Sequence, residues 1–101
     1  MYSIILEELS KAIGARMFVQ FNYKGQVFVV EPHLLGRNHN MQNCLRAWTV
    51  TTDGVPDAKA GWHCFNVNDI SSIQLLERRF AKVRPGYDPY DSTMNRIYYR
   101  A

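Results

Sequence analysis

The chain has 101 residues, of which 47% are hydrophobic and 21% charged, with a formal net charge of +3 and an isoelectric point near 9.0. That length suits one compact domain rather than two, and the balance of apolar and charged residues excludes disorder, collagen-like repeats and a coiled coil. Two cysteines without CxxC spacing give neither a disulfide framework nor a zinc knuckle.

In chain order, "MYSIILEELSKAIGAR" predicts a helix over residues 1–16. Ser3 is its N-cap, Ile5, Leu9, Ala12 and Ile13 form one stripe, and Lys11 stands one turn from Glu7. The apolar patch "IIL" is too short for a signal peptide or a membrane span, so the expected location is the cytoplasm, with Cys44 and Cys64 reduced.

The period then changes from helical to alternating. In "MFVQFNYKGQVFVVEP", Met17, Val19, Phe21 and Tyr23 alternate with Phe18, Gln20 and Asn22. "KG" supplies a hairpin turn, and Pro32 is expected to end the second strand because it cannot donate to a ladder. "LLGRNHNMQN" reads as a turn-rich connection. "CLRAWTV" and "WHCFNV" read as two further strands around the loop "TTDGVPDAKAG", and "DISSIQLLE" as a fifth strand after an Asn68–Asp69 corner. One helix followed by five short strands predicts an α+β, mainly β fold whose bent sheet closes on itself over residues 17–77.

Residues 78–101 hold Arg78, Arg79, Lys82, Arg84, Arg96 and Arg100 against Asp88 and Asp91, so the whole cationic surplus lies in the last quarter of the chain. The same segment carries Phe80, Tyr87, Tyr90, Ile97, Tyr98 and Tyr99, too many large apolar groups for a free tail. It is expected to wrap back over the barrel or to dock on another subunit.

"VQFNYKG", "VVEPHLLG", a strand near residues 43–48 and "GWHCFNVNDI", in that order, resemble the WYL domain, a bacterial regulatory module with an SH3-like, Sm-type barrel. The resemblance covers about residues 10–77. Phe21, Tyr23 and Gly25 match the first hairpin, Glu31, Pro32 and Leu35 the second segment, and Trp62, Phe65 and Ile70 the last. At the name-giving tripeptide stand Asn43, Cys44 and Leu45, and His63, Asn66 and Asp69 occupy positions where the family usually has arginine. The resemblance implies a single domain with a five-stranded SH3-like barrel, an N-terminal helix and a C-terminal tail packed on it. It also implies ligand sensing or transcription regulation. The helix-turn-helix that usually accompanies the barrel is not expected within the sixteen or so residues before it, since a DNA-reading pair needs two helices.

His63 and Cys64 are adjacent on a strand, so they point to opposite faces and cannot chelate one metal together. A zinc site would have to recruit His33, His39 and Cys44 from loops, without the usual ligand spacing. Arg46 and Trp48 share a face. If the hairpin is symmetric about Pro56, Arg46 lies opposite Asn66 and Trp48 opposite Cys64. Tyr23, Arg46, Trp48, His63 and Asn66 are therefore the candidate ligand-binding residues, with Trp48 and Trp62 as core fillers the competing explanation.

"ERRFAKVRPGY" places Arg78, Arg79, Lys82 and Arg84 around Phe80, which suits phosphate neutralisation plus base stacking on single-stranded nucleic acid. A solvated edge anchored by Phe80 explains the same letters. Glu31 and Asp69 have no evident partner, and no paired carboxylates, phosphate-cradling loop or catalytic triad pattern appears, so an enzyme is not expected. No cofactor, metal or membrane partner is expected. The expected partner is an anionic small ligand or single-stranded nucleic acid. The alternative is a protein interaction module that docks on a second copy of itself or on a separate regulatory protein.

Overall fold

The computed structural model describes residues 4–56 and 61–101. It consists of one helix and a curled, wholly antiparallel sheet: α1 (Ile4–Ala15), β1 (Met17–Tyr23), β2 (Gln26–Asn38), β3 (Asn43–Thr52), β4 (Val55–Pro56), β5 (Trp62–Asn66), β6 (Ile70–Arg79) and β7 (Met94–Arg100). The expected mainly β architecture with one N-terminal helix is present, with seven strands among the described residues where five were expected. The Ser3 cap lies outside the described residues, as does part of the loop at 57–60.

Helix α1 buries Leu9, Ala12 and Ile13, the stripe set by its 3.6-residue period, and Lys11 reaches Glu8 at 3.7 Å. Arg16 ends it, with a left-handed φ of 54° that turns the chain directly into β1. Strand order runs β4-β3-β2-β1-β6. β5 pairs with β3 beside β4, and β7 pairs with the half of β2 that β1 leaves free.

Two tight turns set the register. Lys24 (φ 49°) and Gly25 (φ 83°) join β1 to β2, and Asp53 (φ 52°) and Gly54 (φ 79°) join β3 to β4. Positive φ at both central residues is the turn whose twist matches that of paired strands. Pro32 does not end β2. It sits at a bulge, where Pro32 pairs with Ala47 and Leu34 with Arg46, leaving His33 outside the ladder. The strand therefore runs on through Asn38, and Leu34–Asn38, expected as a connection, pairs with both β3 and β7.

On the helix side of the sheet, Leu9, Ala12, Ile13, Val19, Phe21, Val30, Leu35, Leu45, Ala47, Phe65, Val67 and Ile70 form the core. Phe21, Tyr23, Phe28 and Phe65 meet edge-on or tilted, with Phe65 5.0 Å from both Phe21 and Tyr23. The opposite face is covered by the chain's own C-terminal segment. Phe80 N–H donates to Arg16 O, Met94 packs with Leu34 and Cys44, and Ala101 N–H donates to His33 O at 2.8 Å. The aromatic tail thus packs in cis, completing the sheet with β7.

Candidate functional site

Residues 80–87 cross the outer face of β2, β3 and β5, and the alternation of those strands decides what they meet. Leu45 and Ala47 point into the core, so Arg46 and Trp48 point outward, as does Glu31, which pairs with Trp48 across the ladder. The bulge adds His33 to this outer set. Its ring stacks on Phe80 at 4.9 Å and 19°, meets Trp62 edge-on at 4.8 Å, and lies 5.3 Å from Tyr87. Trp62 Nε1 donates to Pro85 O at 2.8 Å.

Arg84 closes this layer. Its Nε and Nη2 contact Glu31 Oε2 at 2.8 and 2.6 Å, and its guanidinium lies 5.3 Å from the Trp48 ring centre. His33 Nδ1 lies 2.7 Å from the Glu31 carbonyl, an acceptor, so Nδ1 carries the proton. Nε2 then accepts the Arg84 backbone N–H at 3.1 Å. Burial lowers the His33 pKa from 6.5. Arg84 and Arg16 act in the same direction, while the hydrogen bond to Glu31 and the Glu31 charge oppose them.

Beside this pair lies a groove of about 560 Å³, lined by Phe18, Glu31 and residues 78–85. Arg78, Arg79, Lys82 and Arg84 all line it, and among the described residues Glu31 is the one carboxylate that does. Arg78 sits 4.7 Å from the Phe18 ring centre, and neither Arg79 nor Lys82 has an ion-pair partner among the described residues. Just behind, Arg16 Nη1 holds Ala81 O at 2.8 Å, which fixes the loop that carries Lys82. The four basic residues singled out in the sequence are therefore brought together. Of the two readings of Phe80, the structure fits the anchor and not the free stacking platform, because Phe80 is 7% exposed with His33 on its face and Phe18 at 6.3 Å.

The other candidate residues do not converge. β5 pairs two residues out of the expected register: Arg46 lies opposite Cys64, Trp48 opposite Trp62, and Asn66 opposite Cys44. Arg46 is tied to Asp91 at 3.2 Å. Burial pushes the Asp91 carboxyl up, but hydrogen bonds from the Thr93 hydroxyl and N–H, together with Arg46, outweigh it and hold it below the ordinary carboxylate value. His63 faces the other way, opposite Ala47, with Nδ1 2.7 Å from Thr49 Oγ1. Tyr23 Oη accepts from Asn66 N–H, and Asn66 Oδ1 caps the turn at Asn68. Trp48 and Trp62 are half-buried on the outer face, not in the core beneath the helix.

Among the described residues no three His, Cys, Asp or Glu side chains gather to hold a metal. His33 is engaged as above, His39 Nε2 lies 2.9 Å from Ser92 O, and Cys44 Sγ accepts from Asn38 Nδ2. Sequence reasoning missed the Glu31–Arg84 pair, whose members are 53 positions apart, and the parts played by His33, Phe18 and Arg16. The available signal for His33 was its place after a proline inside an apolar run, which favours a bulge. No helix is long and apolar enough to cross a membrane among the described residues. Compared with protein-family models, curated proteins and solved structures, the chain matches none.

Proposed function

We propose that the chain is a non-enzymatic, WYL-like binding module built on an SH3-like barrel. It senses or captures an anionic ligand, nucleotide or nucleic acid in the groove between the end of β6 and residues 80–85. The observation that supports this is the gathering of Arg78, Arg79, Lys82 and Arg84 around one concave surface where Glu31 is the single carboxylate among the described residues. Guanidinium and ammonium groups converging on a cleft attract phosphate oxygens, and Arg79 and Lys82 have no ion-pair partner among the described residues. The groove lies within the range of about 300–1,000 Å³ typical of small-ligand clefts.

The test is titration with a single-stranded oligothymidylate at several salt concentrations. Three phosphate contacts give a log–log salt slope of about −2, which the variant R78A/R79A/K82A loses while Arg84 keeps its hold on Glu31. Unchanged affinity in that variant removes the groove as the site.

A second role, as an interaction module for a second copy or a regulatory partner, draws on Tyr90 and Tyr99, which stay 77% and 54% exposed although Phe80, Tyr87, Met94 and Ile97 pack in cis. Sedimentation as a monomer at high concentration argues against the self-association form.

A further inference from the structure

The proposed binding role leaves open which part of an anionic ligand the groove recognises, and the burial of its rings bears on that choice. Recognition of a base on a single strand needs an aromatic face free to receive it and a cationic track that follows the backbone beyond one nucleotide. The aromatic rings that line the groove are not free to receive a base. Phe18 and Phe80 are only 5% and 7% exposed. Arg78 covers the first and His33 stacks on the second. Trp48 carries Arg84 and meets the edge of Trp62 at 5.7 Å, and Trp62 is itself stacked on Tyr87.

Three cations outside the groove are already engaged elsewhere. Arg46 is neutralised by Asp91, Arg100 is bonded to Pro89 O and lies over Tyr90, and Arg96 lies over Tyr98 on β7. Among the described residues, the groove itself is lined by four cations and one carboxylate, a surplus of three charges. Glu31 is not a competitor for the whole cluster, since it is 2% exposed and its Oε2 is already turned to Arg84.

Resting on the proposed binding role, we infer that the groove recognises a short run of contiguous phosphates and leaves the attached base or sugar unread. Arg78, Arg79 and Lys82 supply the charge that meets the phosphates. Arg84, which also lines the groove, is held by Glu31 through Nε and Nη2 with its guanidinium 5.3 Å from the Trp48 ring centre. The chemistry is that of a triphosphate, whether inorganic or at the end of a nucleotide.

The experiment is calorimetric titration of the whole chain with inorganic tripolyphosphate, ATP, UTP, adenosine and an eight-residue oligothymidylate. Tripolyphosphate, ATP and UTP are expected to bind within about threefold of one another, adenosine not at all, and the oligonucleotide at least about tenfold more weakly. The variant R78A/R79A/K82A should lose at least about tenfold for all three triphosphates while keeping the wild-type circular dichroism spectrum. A base preference above about tenfold, or an oligonucleotide that binds more tightly than tripolyphosphate, overturns the inference while sparing the anion-binding role. Failure of every anion to bind, or full binding by the triple variant, overturns the binding role itself.

Discussion

Arg84 brings two of its nitrogens onto the same oxygen of Glu31, Nε at 2.8 Å and Nη2 at 2.6 Å, with the Glu31 side chain 2% exposed and the Arg84 side chain 42% exposed. The pair is asymmetric, so its two halves respond differently to mutation. R84A leaves a buried carboxylate without its counter-charge and is expected to cost about 3 kcal/mol. E31Q leaves an arginine that water can reach and keeps a hydrogen-bond acceptor, so its expected cost is about 1 kcal/mol. Urea denaturation of both variants checks this ordering. Equal costs would mean that the pair is solvated on both sides.

His33 makes stability depend on pH in a definable direction. Its folded pKa is lowered below 6.5, chiefly by burial, and the neutral ring already uses Nδ1 as donor and Nε2 as acceptor. A second proton would have to sit on Nε2, facing the Arg84 N–H, with the Arg84 and Arg16 charges nearby and only Glu31 in its favour. The unfolded chain takes up the proton first, so this contribution is complete above about pH 6.5 and is lost as pH falls below it. Urea midpoints between pH 7.5 and 5.5 should decline in wild type, and H33Q should flatten that decline at a lower absolute stability.

β7 depends on a close backbone approach at Gly36. A Cβ there would stand 2.3 Å from Arg96 O, a backbone atom that cannot swing aside. G36A is therefore expected to push β7 off β2 and to cost about 1–3 kcal/mol. Amide exchange should show protection lost over Met94–Arg100 but kept over Met17–Tyr23. Uniform protection would contradict the tight packing of the strand.

The two thiols should react unequally. Cys64 is exposed, whereas Cys44 is buried beneath the tail and its pKa is pushed up to about 11, first by burial and then by its neighbour Cys64. Iodoacetamide at pH 7.5 should label Cys64 at least about tenfold faster, read by peptide mass spectrometry. Comparable rates would show that residues 87–94 do not cover Cys44.

Much of the sheet was legible in short-range signals. "KG" between alternating apolar runs marked the first hairpin, Val19 and Phe21 marked the core face, and the helical stripe marked Leu9, Ala12 and Ile13. The misses share a cause, which is that long-range pairing leaves little local trace. Pro32 promised a strand end, and the bulge at His33 instead absorbed its missing N–H and carried β2 onward to meet β7. The β3–β5 register slipped by two residues because Asp53–Gly54 forms its own tight hairpin with β4, so Pro56 is not the centre of the connection. That slip, with strand parity, dispersed the expected site at Tyr23, Arg46, Trp48, His63 and Asn66. Arg78, Arg79, Lys82 and Arg84 stayed together because they are close in sequence. Their carboxylate partner at position 31 could be seen only once the tail had folded back.

The measurement that bears most directly on the groove is a titration with inorganic tripolyphosphate followed by backbone amide and arginine Nε–H resonances. Shifts are expected at Phe18 and across residues 78–84, with Arg46, His63 and Asn66 silent. Shifts centred on Arg46, His63 and Asn66, with residues 78–84 unmoved, would contradict it.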